Sequence, residues 1–82
     1  MFRKNKLVYY FHPASGIRKV KLVTKVDGLL SAWKYRNRHD NQTEVGTENY
    51  TLYDSKEQLL NMMYSEIDSI KEWIYLLEKD EI

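Results

Sequence analysis

The chain has no cysteine, one proline and three glycines in 82 residues. Without thiols neither a disulfide framework nor a thiolate metal site can form, and nothing assigns the chain to an oxidising compartment. Glycines scattered singly leave no Gly-rich loop to cradle a phosphate. The basic start Met1-Phe2-Arg3-Lys4-Asn5-Lys6 is followed by an apolar run, Leu7 to Phe11, too short for a signal segment or a membrane span. A cytoplasmic protein without membrane association is the expectation. In that compartment the sequons Asn41-Gln42-Thr43 and Asn49-Tyr50-Thr51 carry no glycan. Histidine is also scarce. His12 and His39 stand at no ligand spacing from another ligand type, so no metal and no cofactor are expected. Ser15 beside Gly16 does not resemble a nucleophile elbow. The expectation is a protein that is not an enzyme, and the enzymatic alternative is a small hydrolase using His39 or His12 with Asp40.

What is present in quantity is amphipathic pattern. From Ser55 to about Asp80 the apolar residues Leu60, Met63, Ile67, Ile70, Ile74 and Leu77 recur at spacings of 3, 4, 3, 4, 3 and form one seam on a long helix. Asp54 with Glu57, or Ser55 with Gln58, supplies a capping box at its start. Such a helix is ~39 Å long, whereas strands of six to nine residues span only about 20 to 30 Å. It should outrun any sheet it packs on. Its late residues Ile70, Trp73, Ile74 and Leu77 are therefore expected to meet a partner, as a homodimer interface or against another protein.

Charge is strongly segregated. Residues 1–40 hold ten Lys or Arg against two carboxylates, a net +8, and residues 41–82 hold three against ten, a net −7. The formal total of +1 hides this dipole. A basic half of this kind suits nucleic acid or an acidic partner. The acidic helix positions Glu66, Asp68, Glu72, Glu78, Asp80 and Glu81 read either as a solvated face or as a mimic of nucleic-acid charge that blocks a basic groove.

The front half reads as antiparallel sheet. Lys6 to His12 is rich in β-branched and aromatic types, Pro13-Ala14-Ser15-Gly16 turns the chain, and Ile17 to Val26 alternates as a second strand. Asp27-Gly28 predicts a two-residue type I′ turn. That turn sets Val26 opposite Leu29, Leu22 opposite Trp33 and Val20 opposite Tyr35 on a core face shared with Leu7, Tyr9 and Phe11. On the other face it sets Lys21 opposite Lys34 and Lys19 opposite Arg36, with Tyr10 among them. Like charges directly across a ladder are destabilising, which points to a function for that face. Arg38 and His39 extend it. Residues 38–48 are polar and aperiodic and are expected to be a mobile loop, with Tyr50 to Tyr53 a short fourth strand. The expected fold is one α+β domain over 1–82. In it a three- or four-stranded antiparallel sheet within 6–53 packs on the helix 55–80 in the order β-β-β-(β)-α.

Lys19, Lys21, Lys34, Arg36 and Arg38 offer phosphate neutralisation and Tyr10 a stacking ring, the combination used by single-strand binders. The segments Leu7-Val-Tyr-Tyr-Phe, Val20-Lys-Leu and Leu52-Tyr-Asp-Ser-Lys-Glu-Gln-Leu-Leu resemble small early accessory proteins of T-even-type tailed phages, over residues 7–26 and 50–77. The resemblance implies a non-enzymatic inhibitor or adaptor in the infected cell, one that redirects host transcription or RNA turnover or blocks defence systems and toxin ribonucleases. It carries over no site residues. The expected partner is RNA or an RNA-binding or RNA-cleaving host protein. A purely protein-directed inhibitor acting through the acidic helix is the alternative.

Overall fold

Val8 with the aromatic residues Tyr9, Tyr10 and Phe11 makes up most of the first strand, β1 (Leu7–His12), in the computed structural model, which describes residues 1–81. Four more strands follow, β2 (Gly16–Lys25), β3 (Ala32–Asn37), β4 (Thr43–Thr47) and β5 (Leu52–Tyr53), and then one helix, α1 (Lys56–Glu78). The strands form a single antiparallel sheet in the order β4-β3-β2-β1-β5. The class is α+β, as the sequence indicates, with one strand more than expected.

That extra strand is β4, in the segment expected to be a mobile loop. Thr43, Val45 and Thr47 alternate along it, and a tight turn returns the chain from β3. In that turn Asn41 adopts φ +59°, its amide donates to the Asn37 carbonyl, and the Gln42 amide donates to Asp40 Oδ1. Asparagine and aspartate are suited to such turns because their short side chains bond to the local backbone. The polar composition conceals the strand because one flank of it is exposed.

The sheet curls until its two edges meet. Gly46 on β4 lies against Leu52 of β5, the Glu48 amide donates to the Ser31 carbonyl, and a parallel bridge joins Glu48 to Leu52. Trp33 Nε1 donates to Glu48 at 2.6 Å and holds the same corner. Inside the curl sit Val8, Val20, Leu22, Trp33, Tyr35 and Leu52, with Phe2 and Tyr10 packed against them. The sheet therefore encloses its own core, and the helix is not the lid that the sequence pattern suggests.

Both expected registers are shifted. The first hairpin has the three-residue loop Pro13-Ala14-Ser15, with Gly16 at φ +88° re-entering the ladder, so Val8 pairs with Val20 and Tyr10 with Arg18. A one-residue change of register exchanges the two faces of a strand. Hence Val8 and Tyr10 face the core, and Leu7, Tyr9 and Phe11 lie outside it. The second hairpin does not use a two-residue Asp27-Gly28 turn. Gly28 is at positive φ but Asp27 is not, and Ser31 is. A longer loop closes through the Val26 amide donating to the Ala32 carbonyl. Leu22 therefore meets Tyr35, Val20 meets Asn37, and Lys21 meets Arg36, with a bulge between Leu22 and Thr24. Leu29 and Leu30 project from the loop, 59% and 94% exposed, where the expected turn would have put Leu29 in the core.

Ser55 caps α1: its hydroxyl accepts from the Gln58 amide, and Gln58 Oε1 accepts from the Asp54 amide. Of the two candidate boxes the Ser55/Gln58 one forms, its glutamine reaching one residue further back than usual. Asp54 also receives Lys6 Nζ and the amino terminus, which tie the entry to the helix onto the segment before β1. These bonds, that from Lys6 foremost, hold the Asp54 carboxyl below its ordinary value of 3.8. A depressed folded-state value means stability that is present above the unfolded value and lost as pH falls through the folded one. Urea melts of the wild type are expected to lose stability from about pH 4 downward, and Asp54→Asn to lower stability at neutral pH with a flatter acid limb. An unchanged acid limb in the variant would assign the acid loss to other carboxylates.

Candidate nucleic-acid interface

The outer face of the sheet is built from alternate residues of strands whose other residues are in the core. Register sets Thr43, Arg36, Lys21 and Leu7 in one row across β4, β3, β2 and β1. Val45, Lys34 and Thr24 form the neighbouring row on one side, and Lys19, Tyr9 and Tyr53 the row on the other. The alternation leaves Lys19, Lys21, Lys34 and Arg36 exposed while Val20, Leu22 and Tyr35 are buried. Arg38 lies just past the end of β3 in the exposed turn.

This retains the five cations singled out from the sequence but changes their pairing. Lys21 faces Arg36, not Lys34, and the two like charges stand directly opposite. Lys34 faces Thr24 beyond the bulge. Among the described residues none of the five takes part in an ion pair. Like charges across a ladder with no carboxylate to relieve them favour an anion on that face.

Tyr10 does not belong to this face. Its ring lies in the curl, 5.6 Å from the Tyr35 ring and under the Arg18 guanidinium at 4.0 Å. Tyr9 takes the outer position in its place: it pairs with Lys19, whose ammonium is 5.4 Å from its ring centroid. The sequence signal for this was Gly16. A glycine at the end of a three-residue loop supplies the positive φ that lets the chain re-enter the strand. A four-residue loop gives the opposite face.

Arg18 shows what a cation in structural use looks like here. Its Nε donates to Asn37 Oδ1 at 2.7 Å, and Nη2 reaches Glu44 at 3.3 Å. The same Glu44 oxygen accepts from Asn37 Nδ2 at 2.8 Å and from the Tyr35 hydroxyl at 3.0 Å. The bonds from Asn37 and Tyr35 hold the Glu44 carboxyl below its ordinary value, and burial followed by that bond pushes the Tyr35 phenol up. This network closes one rim of the curl and binds β2, β3 and β4 together.

The remaining candidate groups stay apart. His39 Nε2 and Asp40 Oδ2 are 3.7 Å from each other in an exposed turn, outside hydrogen-bond range. His12 Nδ1 accepts from the Ala14 amide within the first hairpin loop. Among the described residues no group of three His, Asp or Glu is placed to hold a metal ion, and no helix is long and apolar enough to cross a membrane.

Helix α1 meets the sheet near β5, where Phe11, Tyr53, Met62 and Glu66 line a common cleft. Leu59 is its one buried residue. The positions expected at an interface are all open: Ile70 is 48% exposed, Trp73 60%, Ile74 49% and Leu77 61%. The chain matches no protein-family model, no curated protein and no solved structure.

Proposed function

We propose that this protein is a non-enzymatic, phage-type accessory protein whose basic outer sheet face engages single-stranded RNA, free or held by an RNA-handling host or toxin protein, and so inhibits or redirects its processing. The observation that carries this reading is the cluster of Lys19, Lys21, Lys34, Arg36 and Arg38 around the facing pair Lys21 and Arg36, none of them in an ion pair among the described residues. The cations neutralise phosphates, and Tyr9 beside Lys19 offers a ring on which a base stacks. The likeness of residues 7–26 and 50–77 to phage accessory proteins supports an inhibitor or adaptor role over a catalytic one. The exposed helix seam supports a homodimer.

A fluorescence-anisotropy titration against a short single-stranded RNA tests this, with Lys21→Glu/Lys34→Glu as the comparison. Four to five neutralised phosphates give a logarithmic salt slope of about −3, so affinity should fall about 50- to 100-fold between about 50 and 200 mM salt. The double variant should lose the binding while keeping its thermal midpoint, or gaining slightly from the relieved repulsion. Absence of wild-type binding would refute the RNA reading and turn attention to a protein target for the acidic helix face.

A further inference from the structure

We propose that residues 60–77 of α1 pair in parallel and in register with the same residues of a second copy, as a two-stranded coiled coil that places both basic sheet faces at one end of the particle.

The helix has 23 residues and buries only Leu59, so it lacks the tertiary packing from which most helices in proteins draw their stability. The chain measures 48 Å in its longest dimension against 28 and 21 Å in the others. A helix of this length is ~35 Å, and its far half extends past the sheet. Met63 is half-buried, and beyond it the seam opens, from 46% exposed at Ile67 through 48% at Ile70 and 49% at Ile74 to 61% at Leu77. Trp73 and Tyr64, 60% and 62% exposed, widen the seam on its flanks. Pairing these side chains with the same ones of a second copy would cover on the order of 1,000 Å² in total, about the least that a specific interface needs.

The seam is a heptad pattern, with Leu60, Ile67 and Ile74 at a positions and Met63, Ile70 and Leu77 at d. A second copy in parallel register brings Glu66, at a g position, opposite Lys71 of the partner subunit, at the following e position, once on each side. Antiparallel arrangements lack this match. Centred on the open half, with Ile70 against the partner's Ile74, they set Lys71 against the partner's Lys71 and Glu66 against the partner's Asp80. With full overlap they set Glu57 against the partner's Glu78. The opposed charges of sheet and helix end would draw two copies antiparallel at long range, but salt screens charges beyond about 8 Å, far less than the helix length. Contacts beside the seam decide.

The gain for function rests on the RNA reading: two basic faces at one end can hold a single strand at two points, which raises affinity without a new contact. The test of the pairing does not depend on RNA. Since the chain has no cysteine, Ile74→Cys introduces a single thiol at an a position. Under mild oxidation the parallel pair should form a disulfide dimer of twice 9.9 kDa in high yield, and Asp68→Cys, on the outer side of the helix, should not. Glu66→Lys should weaken the dimer about three- to tenfold in sedimentation equilibrium, and Glu66→Lys/Lys71→Glu should restore it. A monomeric or trimeric wild type, or a disulfide that forms only when Met63→Cys is mixed with Ile74→Cys, would overturn the proposal. A dimer that crosslinks at position 74 yet binds no RNA would leave the pairing intact and refute the RNA reading alone.

Discussion

Replacing Gly46 with valine is expected to lower the thermal midpoint by about 8–20 °C, corresponding to roughly 2–3 kcal/mol in a domain of this size. Gly46 is not at a positive φ, so the loss is steric and not conformational. A Cβ at that position would lie 2.9 Å from Leu52 Cγ, 3.0 Å from Thr51 Oγ1 and 3.1 Å from Leu52 Cδ1. Leu52 is fully buried, packed with Val8, Val20 and Leu22, and has nowhere to retreat. The contact is where β4 and β5, the two edges of the sheet, close on each other. Pushing them apart opens the curl and lets water into the core. Leu52→Ala alone should cost about 2–5 kcal/mol, but Gly46→Ala combined with Leu52→Ala should cost clearly less than the sum, because the truncated side chain vacates the space that the new Cβ needs. Additive losses would show that Gly46 is required for some other reason.

Glu44→Ala should destabilise by about 2–4 kcal/mol although the residue is half exposed. The loss comes from its partners. Asn37 is 3% exposed and Tyr35 2%, and both donate to the one Glu44 oxygen. Without it two buried donors have no acceptor, and Arg18 loses its countercharge while still stacked on Tyr10. Glu44→Gln keeps a carbonyl oxygen for one of them and should cost less. In the Glu44→Ala background Tyr35→Phe should add little, since its hydroxyl no longer has a partner to lose. A surface glutamate with no part in the network would give a loss below about 0.5 kcal/mol. A result of that size would show that water replaces the carboxylate at this rim.

Local chemistry accounts for most of what could be read directly. The helix, its cap and its seam were legible because a 3, 4, 3, 4, 3 apolar spacing and a Ser55/Gln58 pair depend only on neighbours within a turn or two. The cations of the outer face were legible for a similar reason: alternation along β2 and β3 puts Lys19, Lys21, Lys34 and Arg36 on the side away from Val20, Leu22 and Tyr35. A shift of the β2–β3 register by two preserves that parity, so the two-residue turn and the longer loop put the same cations on the same face. The β1 register missed by one residue, and parity was lost there. That single step moved Tyr10 into the curl and brought Tyr9 out beside Lys19.

By itself, then, the sequence determined the α+β order of elements, the amphipathic helix with its unmet seam, the segregation of charge and the side of β2 and β3 that carries it. The tertiary structure decided the rest: that Thr43–Thr47 is a strand, that the sheet curls upon its own core, and that Tyr9 and not Tyr10 stands with the lysines. It also decided that Gly46, Leu52 and Glu44 hold the curl closed. These outcomes turn on contacts between residues far apart in the chain and on loop lengths that several turn conformations satisfy equally well. Local propensity cannot rank such alternatives; only the burial that each one permits can, and that burial exists only once the whole sheet is assembled.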